Sequence, residues 1–333
     1  MKKILLTLVA LALMAGMSSC TKEREGKYNP KEKIKTVYNE REAYNGDLLV
    51  SRENKFVSEE WTWTDDRLDK ILYYDQYSYQ SEDEPDSVMV EYDFLYAQFF
   101  TYDEDDRLVQ SEIEGSGINL KTTCEYEGKY LKILTMKEDD QMLVSYQFNR
   151  DGDKISSFDM TLNDDYFEFD EKKVCMLERG SLLHFVMAPE QASKVSAASL
   201  NCAKRAAKSG TKDGLVLHFN VEWNDGNVSK ISCSYMGSSL ELVYSYDNMN
   251  NPFYNLFDAL HLDNGNGDLM PFASLSKNNV TNTTSTYIED GERLTETGEY
   301  SYTYNKKDFP ISKTETDVSD DYRHVEKYYY EYK

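Results

Sequence analysis

Residues 101–108, TYDEDDRL, gather enough carboxylates to suggest a calcium loop. Such a loop needs oxygen ligands at positions 1, 3 and 5, glycine at 6 and a bidentate glutamate at 12. Counted from Asp103, the chain supplies Asp105 and Glu114 at the third and twelfth places, but Arg107 and Leu108 stand at the fifth and sixth. A cation there would meet a guanidinium. Counted from Asn149, Asp151 and Asp153 fit, but Lys154 takes the glycine's place and Met160 the glutamate's. The string DNGNGD from Asp263 has glycines where oxygens are required. His184, His218, His261 and His324 are isolated, without zinc-ligand spacing. There is no Gly-x-Ser-x-Gly elbow or phosphate loop. A glycosidase pair of carboxylates is defined by a separation in space, which sequence does not locate. No catalytic residue, cofactor-binding residue or metal ligand is therefore predicted, and the expectation is a protein that is not an enzyme.

The acidic strings have a simpler use. An aromatic, a short Asp/Asn/Gly-rich stretch and then an aliphatic recur as WTDDRLDKI, YDEDDRLVQ, FNRDGDKIS, FDEKKVCML, WNDGNVSKI, YDNMNNPFY and YNKKDFPIS. Asp, Asn and Gly tolerate positive φ, and Asx side chains bond nearby backbone, so each string reads as a turn between two strands whose aromatic and aliphatic pair. The 27 Tyr, 14 Phe and 3 Trp fall in period-two strings such as YDFLYAQFFTY and YYYEY. Alternation of that kind turns every second side chain to one face of an antiparallel sheet and leaves the other face wet. The fold class expected is all-β, a large antiparallel meander of repeated hairpins curled into a soluble barrel or half-barrel. One helical insert is expected near 189–208, within 186–214, where Pro189 could open a helix and Gly210 stop it.

The N-terminus sets the compartment. Lys2 and Lys3 precede an apolar run and then GMSSC, the pattern of a secretory signal over residues 1–19. The segment resembles a bacterial lipobox, with Met17 in the usual leucine position, which implies cleavage before Cys20 and lipidation of its thiol. Residues 20–35 are charged and apolar-poor, as in a tether, and 36–333 are expected to form a single β domain. The charged start of that tether resembles only loosely the export signals of Bacteroidetes surface lipoproteins, so periplasmic and outward-facing positions stay open. A net charge of −23 repels nucleic acid, so the membrane is expected as a partner only through the lipid, with a glycan or protein as a possible ligand.

The recurring units resemble the YD-type repeats of bacterial surface proteins. With the lipobox, and with SYDNMNNPF followed by SLSKNNVT, the chain resembles Bacteroidetes lipoproteins of unknown function with a porin-like fold. That resemblance implies a meander closed or half-closed into a barrel and supplies no activity. Strands such as ISKTETDVS would turn Lys, Thr and Asp to lipid, so the barrel is expected to stand in water on its anchor. Cys124, Cys175, Cys202 and Cys233 could form two disulfides or remain free thiols, with free thiols favoured. DSV at 86–88 resembles an O-glycosylation motif of the same group. Two function classes remain: an anchored binding module whose exposed aromatics stack on sugars or peptides, and an envelope structural protein whose aromatics fill the barrel. The exposure of Trp61, Trp63 and Trp223 separates them.

Overall fold

The computed structural model describes residues 25–80, 88–115, 118–163, 215–235, 238–256, 273–289, 292–319 and 322–333. They form sixteen strands: β1 (Ile34–Asn45), β2 (Leu48–Thr64), β3 (Arg67–Gln80), β4 (Val88–Tyr102), β5 (Leu108–Gly115), β6 (Ile118–Glu127), β7 (Tyr130–Glu138), β8 (Gln141–Asp151), β9 (Lys154–Leu162), β10 (Leu215–Asn224), β11 (Asn227–Tyr235), β12 (Ser238–Tyr246), β13 (Val280–Glu289), β14 (Glu292–Tyr304), β15 (Pro310–Ser319) and β16 (Tyr322–Tyr332). Each strand pairs antiparallel with the next, and β16 returns to β1, so the meander is a closed barrel. Among the described residues the helical content is one 3-10 turn, Ala273–Leu275. The helical insert of 186–214, Cys175, Cys202, Cys20, residues 1–19, the DS of the 86–88 motif, His184, His261 and the string from Asp263 lie outside the described residues.

In a closed barrel alternate side chains point in and out, and here the buried set points in. Across the β8–β11 arc, Phe148 pairs with Phe158, Phe158 with Phe219, and Phe219 with Cys233. The neighbouring row runs Leu134, Tyr146, Met160 and Leu217. Outward positions carry ion pairs such as Lys121 with Glu112 between β6 and β5 and Lys230 with Glu241 between β11 and β12, with Val216 and Val243 as exposed apolar exceptions. A barrel spanning lipid turns its apolar band outward; this one turns it inward. Trp61 and Trp63 are buried and Trp223 is partly buried, so the tryptophans belong to the core. Cys124 and Cys233 are buried.

The described turn strings form one end of the barrel, its foot, and FDEKKVCML lies outside the described residues. In TYDEDDRL, Asp103 Oδ1 accepts hydrogen bonds from the backbone N–H of Asp105 and of Arg107, each at 2.9 Å, and Arg107 Nε donates to Oδ2 at 2.7 Å. Asp106 takes φ 63°, the left-handed conformation that an Asx residue tolerates. Near the C-terminus NKKDF repeats the turn: Asn305 Oδ1 accepts from Lys307 N at 2.8 Å and Phe309 N at 3.1 Å, and Asp308 also has φ 63°. The aromatic and the aliphatic flanking a turn do pair, as Trp63 with Leu68, Tyr102 with Leu108 and Trp223 with Val228, each beside a β-bulge.

A second device closes the foot. Every strand running toward it ends in a donor that reaches back to a carbonyl at the start of the preceding strand. The aromatic donors are Trp63 to Ile34 at 2.7 Å, Tyr102 to Leu68 at 2.9 Å, Tyr126 to Leu108 at 2.7 Å, Trp223 to Ile155 at 2.7 Å, Tyr246 to Val228 at 2.6 Å, Tyr302 to Val280 at 2.8 Å and Tyr332 to Pro310 at 2.7 Å. On β8 the donor is Arg150, to Leu131 at 3.3 Å. Each latch satisfies a carbonyl where the ladder is bulged or ends, a position at which an unpaired group is costly.

The segment read as a tether over 20–35 is partly a plug. Leu131 N donates to Glu25 Oε2 at 2.8 Å, Leu108 N to the Gly26 carbonyl at 2.9 Å, and Tyr28 Oη to the Pro252 carbonyl at 2.9 Å. Tyr28 is 2% exposed and packs 5.7 Å from Trp63, with Leu256 and Tyr330 in the same cluster. One aromatic side chain is enough to seat an otherwise polar segment, and β1 begins at Ile34 rather than at 36.

Candidate functional site

The inner face of the β14–β3 arc is unlike that of the arc opposite. Register alone brings its charges together: Tyr300 stands opposite Glu315, Glu315 opposite Glu326, Glu326 opposite Arg41, and Arg41 opposite Glu53. The row on the foot side reads Tyr302, Lys313, Tyr328, Asn39 and Phe56.

Arg41 is the hub. Its Nη1 lies 3.2 Å from Glu53 Oε2 and 3.0 Å from Asp75 Oδ1, and its Nε 2.9 Å from Glu326 Oε1. The guanidinium also covers the Phe56 ring at 5.4 Å. Burial opposes the charge on Arg41, but the carboxylates of Glu326, Asp75 and Glu53 outweigh it and hold the group above its ordinary range. Beside the hub, Lys313 Nζ bonds Glu315 Oε2 at 3.0 Å between the rings of Tyr300 and Tyr328, at 4.8 and 5.2 Å. Tyr328 donates to Glu326.

Four carboxylates against two cations leave an excess of two negative charges. The Lys313 side chain is 2% exposed, whereas those of Glu53 and Glu326 are 27% and 21% exposed, so the cluster is roofed on one side and reached by water on the other. Asn39 Oδ1, on the same inward row in a side chain 2% exposed, lacks a partner among the described residues, as do Thr122 Oγ1 and Tyr146 Oη elsewhere in the barrel and Gln76 Oε1 on the face it shares with Tyr92. Buried oxygens of this kind call for a donor. Chemically the arrangement holds hydrogen-bond donors and positive charge. Among the described residues no group of three or more His, Cys, Asp or Glu is placed to hold a metal. His218 bonds Asp159 through Nδ1 at 2.7 Å on the outer face, away from this cluster.

Sequence reasoning named none of these residues. Arg41 and Glu326 lie at opposite ends of the chain and meet only because β16 closes on β1. The available signal was interruption of the aromatic alternation by ionisable residues on the inward parity.

No protein-family model matches the chain, and no curated protein matches it. Among solved structures it is similar to a porin-like protein from Bacteroides uniformis ATCC 8492, with 10% identity, a TM-score of 0.45, and coverage of 90% of this chain and 98% of that one. A second similarity is to the Photorhabdus luminescens Tc holotoxin pore, with 7% identity and a TM-score of 0.22 over 82% of this chain. This chain spans 18% of that one's length.

Proposed function

We propose that this chain is a non-enzymatic binding module of the cell envelope, held to the outer membrane by an acyl chain on Cys20, that takes a cationic ligand at the inner face of its β14–β3 arc. The carrying observation is the convergence of Glu53, Asp75, Glu315 and Glu326 on Arg41 and Lys313, with Asn39 Oδ1 on the adjoining row left without a donor. A core built for filling alone would place aliphatic side chains there, as the opposite arc does. The polar outer face supports a barrel standing in water, and the signal, GMSSC and the hairpin units support kinship with Bacteroidetes lipoproteins carrying YD-type repeats.

Titration calorimetry with trilysine amide tests the ligand class. Binding is expected to weaken as salt rises and to fall about tenfold in Glu53→Gln, the loss of about 1.4 kcal/mol that one charge-assisted hydrogen bond supplies. Uptake of a neutral oligosaccharide in place of trilysine would overturn the cationic reading. Anchoring is tested separately: Cys20→Ala should move the protein from the membrane fraction to the soluble one.

A further inference from the structure

On one side of the closed barrel the ladder between neighbouring strands is short. Strands β2 and β3 are paired only near the foot, from Thr64 with Arg67 to Glu59 with Tyr73. Beyond that point residues 48–58 pair with β1 alone and residues 74–80 with β4 alone, among the described residues. Among the described residues the two hairpins thus share no backbone pairing there, and each presents a strand edge on that side. Side chains alone cross the seam: Arg41 to Asp75 at 3.0 Å, Phe56 to Tyr92 at 6.4 Å between ring centres, and Tyr74 Oη to Glu60 Oε2 at 2.8 Å.

An open edge offers backbone N–H and C=O groups at strand spacing, and the ligand that satisfies two facing edges at once is another strand. The side chains flanking the seam say which strand. Glu53 and Asp75 stand on its inner side, both held by Arg41. Exposed apolar groups stand around its outer side and rim, with Leu49 39%, Val50 47%, Tyr92 59% and Phe94 51% exposed. A strand alternates its side chains between faces, so the complementary sequence alternates a basic with an apolar residue.

We propose that the β2–β3 seam accepts an extended segment of a partner polypeptide, with Lys or Arg at alternate positions turned toward Glu53 and Asp75 and apolar residues turned outward. The inserted strand continues both ladders, and its cations compete with Arg41 for the two carboxylates. This identification of the ligand rests on the cationic reading of the inner face, and the experiment separates the two.

The probe is an octapeptide of alternating lysine and valine, titrated into the intact chain. Two control peptides accompany it: one with every second amide N-methylated, and one with four lysines followed by four valines. One-to-one binding of the alternating peptide is expected, at least tenfold tighter than either control, and weakened by Glu53→Gln with Asp75→Asn. Equal binding of the N-methylated peptide would overturn strand addition, because methylation removes the backbone donors while keeping the charge. Equal binding of the block peptide would overturn the alternation, and no binding of the alternating peptide would overturn the seam outright. If trilysine amide binds while the N-methyl contrast is absent, the cationic site survives and the seam falls. If the contrast is present and trilysine does not bind, the seam survives alone. The contrast lies in the peptides, so it holds even where a substituted protein folds poorly.

Discussion

On β8, β9 and β10 the inward rows read Phe148, Phe158, Phe219 and Tyr146, Met160, Leu217. On β15, β16 and β1 they read Lys313, Tyr328, Asn39 and then Glu315, Glu326, Arg41. Both arcs belong to one sheet and share the same latch at the foot. They differ in reach: β5 to β12 have 8 to 11 residues each, whereas β2, β3 and β4 have 17, 14 and 15. On the longer β1 and β2 the inward charges of Arg41 and Glu53 are partly exposed, where a charge costs less desolvation. Lys313, Glu315 and Glu326 stand on β15 and β16, which are no longer than β8, so their charges are held by pairing and not by reach.

The largest effect should come from the packed arc. Phe158 is 2% exposed and stacks on Phe219 at 4.6 Å. Phe158→Ala should cost about 3–5 kcal/mol in chemical denaturation, the usual loss for a buried aromatic. Arg41→Met tests the opposite arc and should cost about 1–2 kcal/mol, because the carboxylates left behind are partly hydrated and recover water. A cost for Arg41→Met as large as that for Phe158→Ala would erase the distinction between the arcs.

Smaller effects probe what the arcs share. Tyr126→Phe removes the donor to the Leu108 carbonyl and should cost about 1 kcal/mol in the same denaturation. An unchanged midpoint would mean that the latches follow the fold without supporting it.

The two matched turns give the smallest effect and a sign. Burial pulls the Asp103 carboxyl upward, but the N–H groups of Arg107 and Asp105 and the Arg107 guanidinium outweigh it and hold its pKa below the usual value. A lowered folded pKa stabilises fully above the unfolded value, about 3.9, and that contribution disappears as pH falls through the folded one. Asp103→Asn should therefore cost less than about 1 kcal/mol at neutral pH and nothing at about pH 2. Asn305 holds the equivalent place without a titrating group, so Asn305→Asp should add a pH dependence in the same direction. Denaturation midpoints at the two pH values decide both.

The fold was legible because its signals are local. An aromatic, an Asx-rich turn and an aliphatic sit within one string, and the turn's hydrogen bonds close within four residues, as at Asp103 and Arg107. Nothing local marks the latches: Trp223 and its acceptor Ile155 are 68 residues apart, and the aromatic alone does not say which carbonyl it will reach. The plug was missed because composition averages Tyr28 into its charged neighbours, whereas burial acts on that one ring. The charged cluster was illegible for a different reason. Its members come from both ends of the chain, and a shift of one residue in the β1–β16 register would turn Arg41 outward.

The plug also fixes an attitude. Glu25 is fastened at the foot by Arg150 and Leu131, and residues 21–24 separate it from Cys20. Whatever path they take, those peptide links span at most about 18 Å. The acyl chain proposed on Cys20 would therefore moor the molecule on a short line, foot toward the headgroups. On that anchor the β1–β2 and β3–β4 hairpins would point away from the bilayer, and the leaflet to which the lipid is delivered would decide which compartment they face.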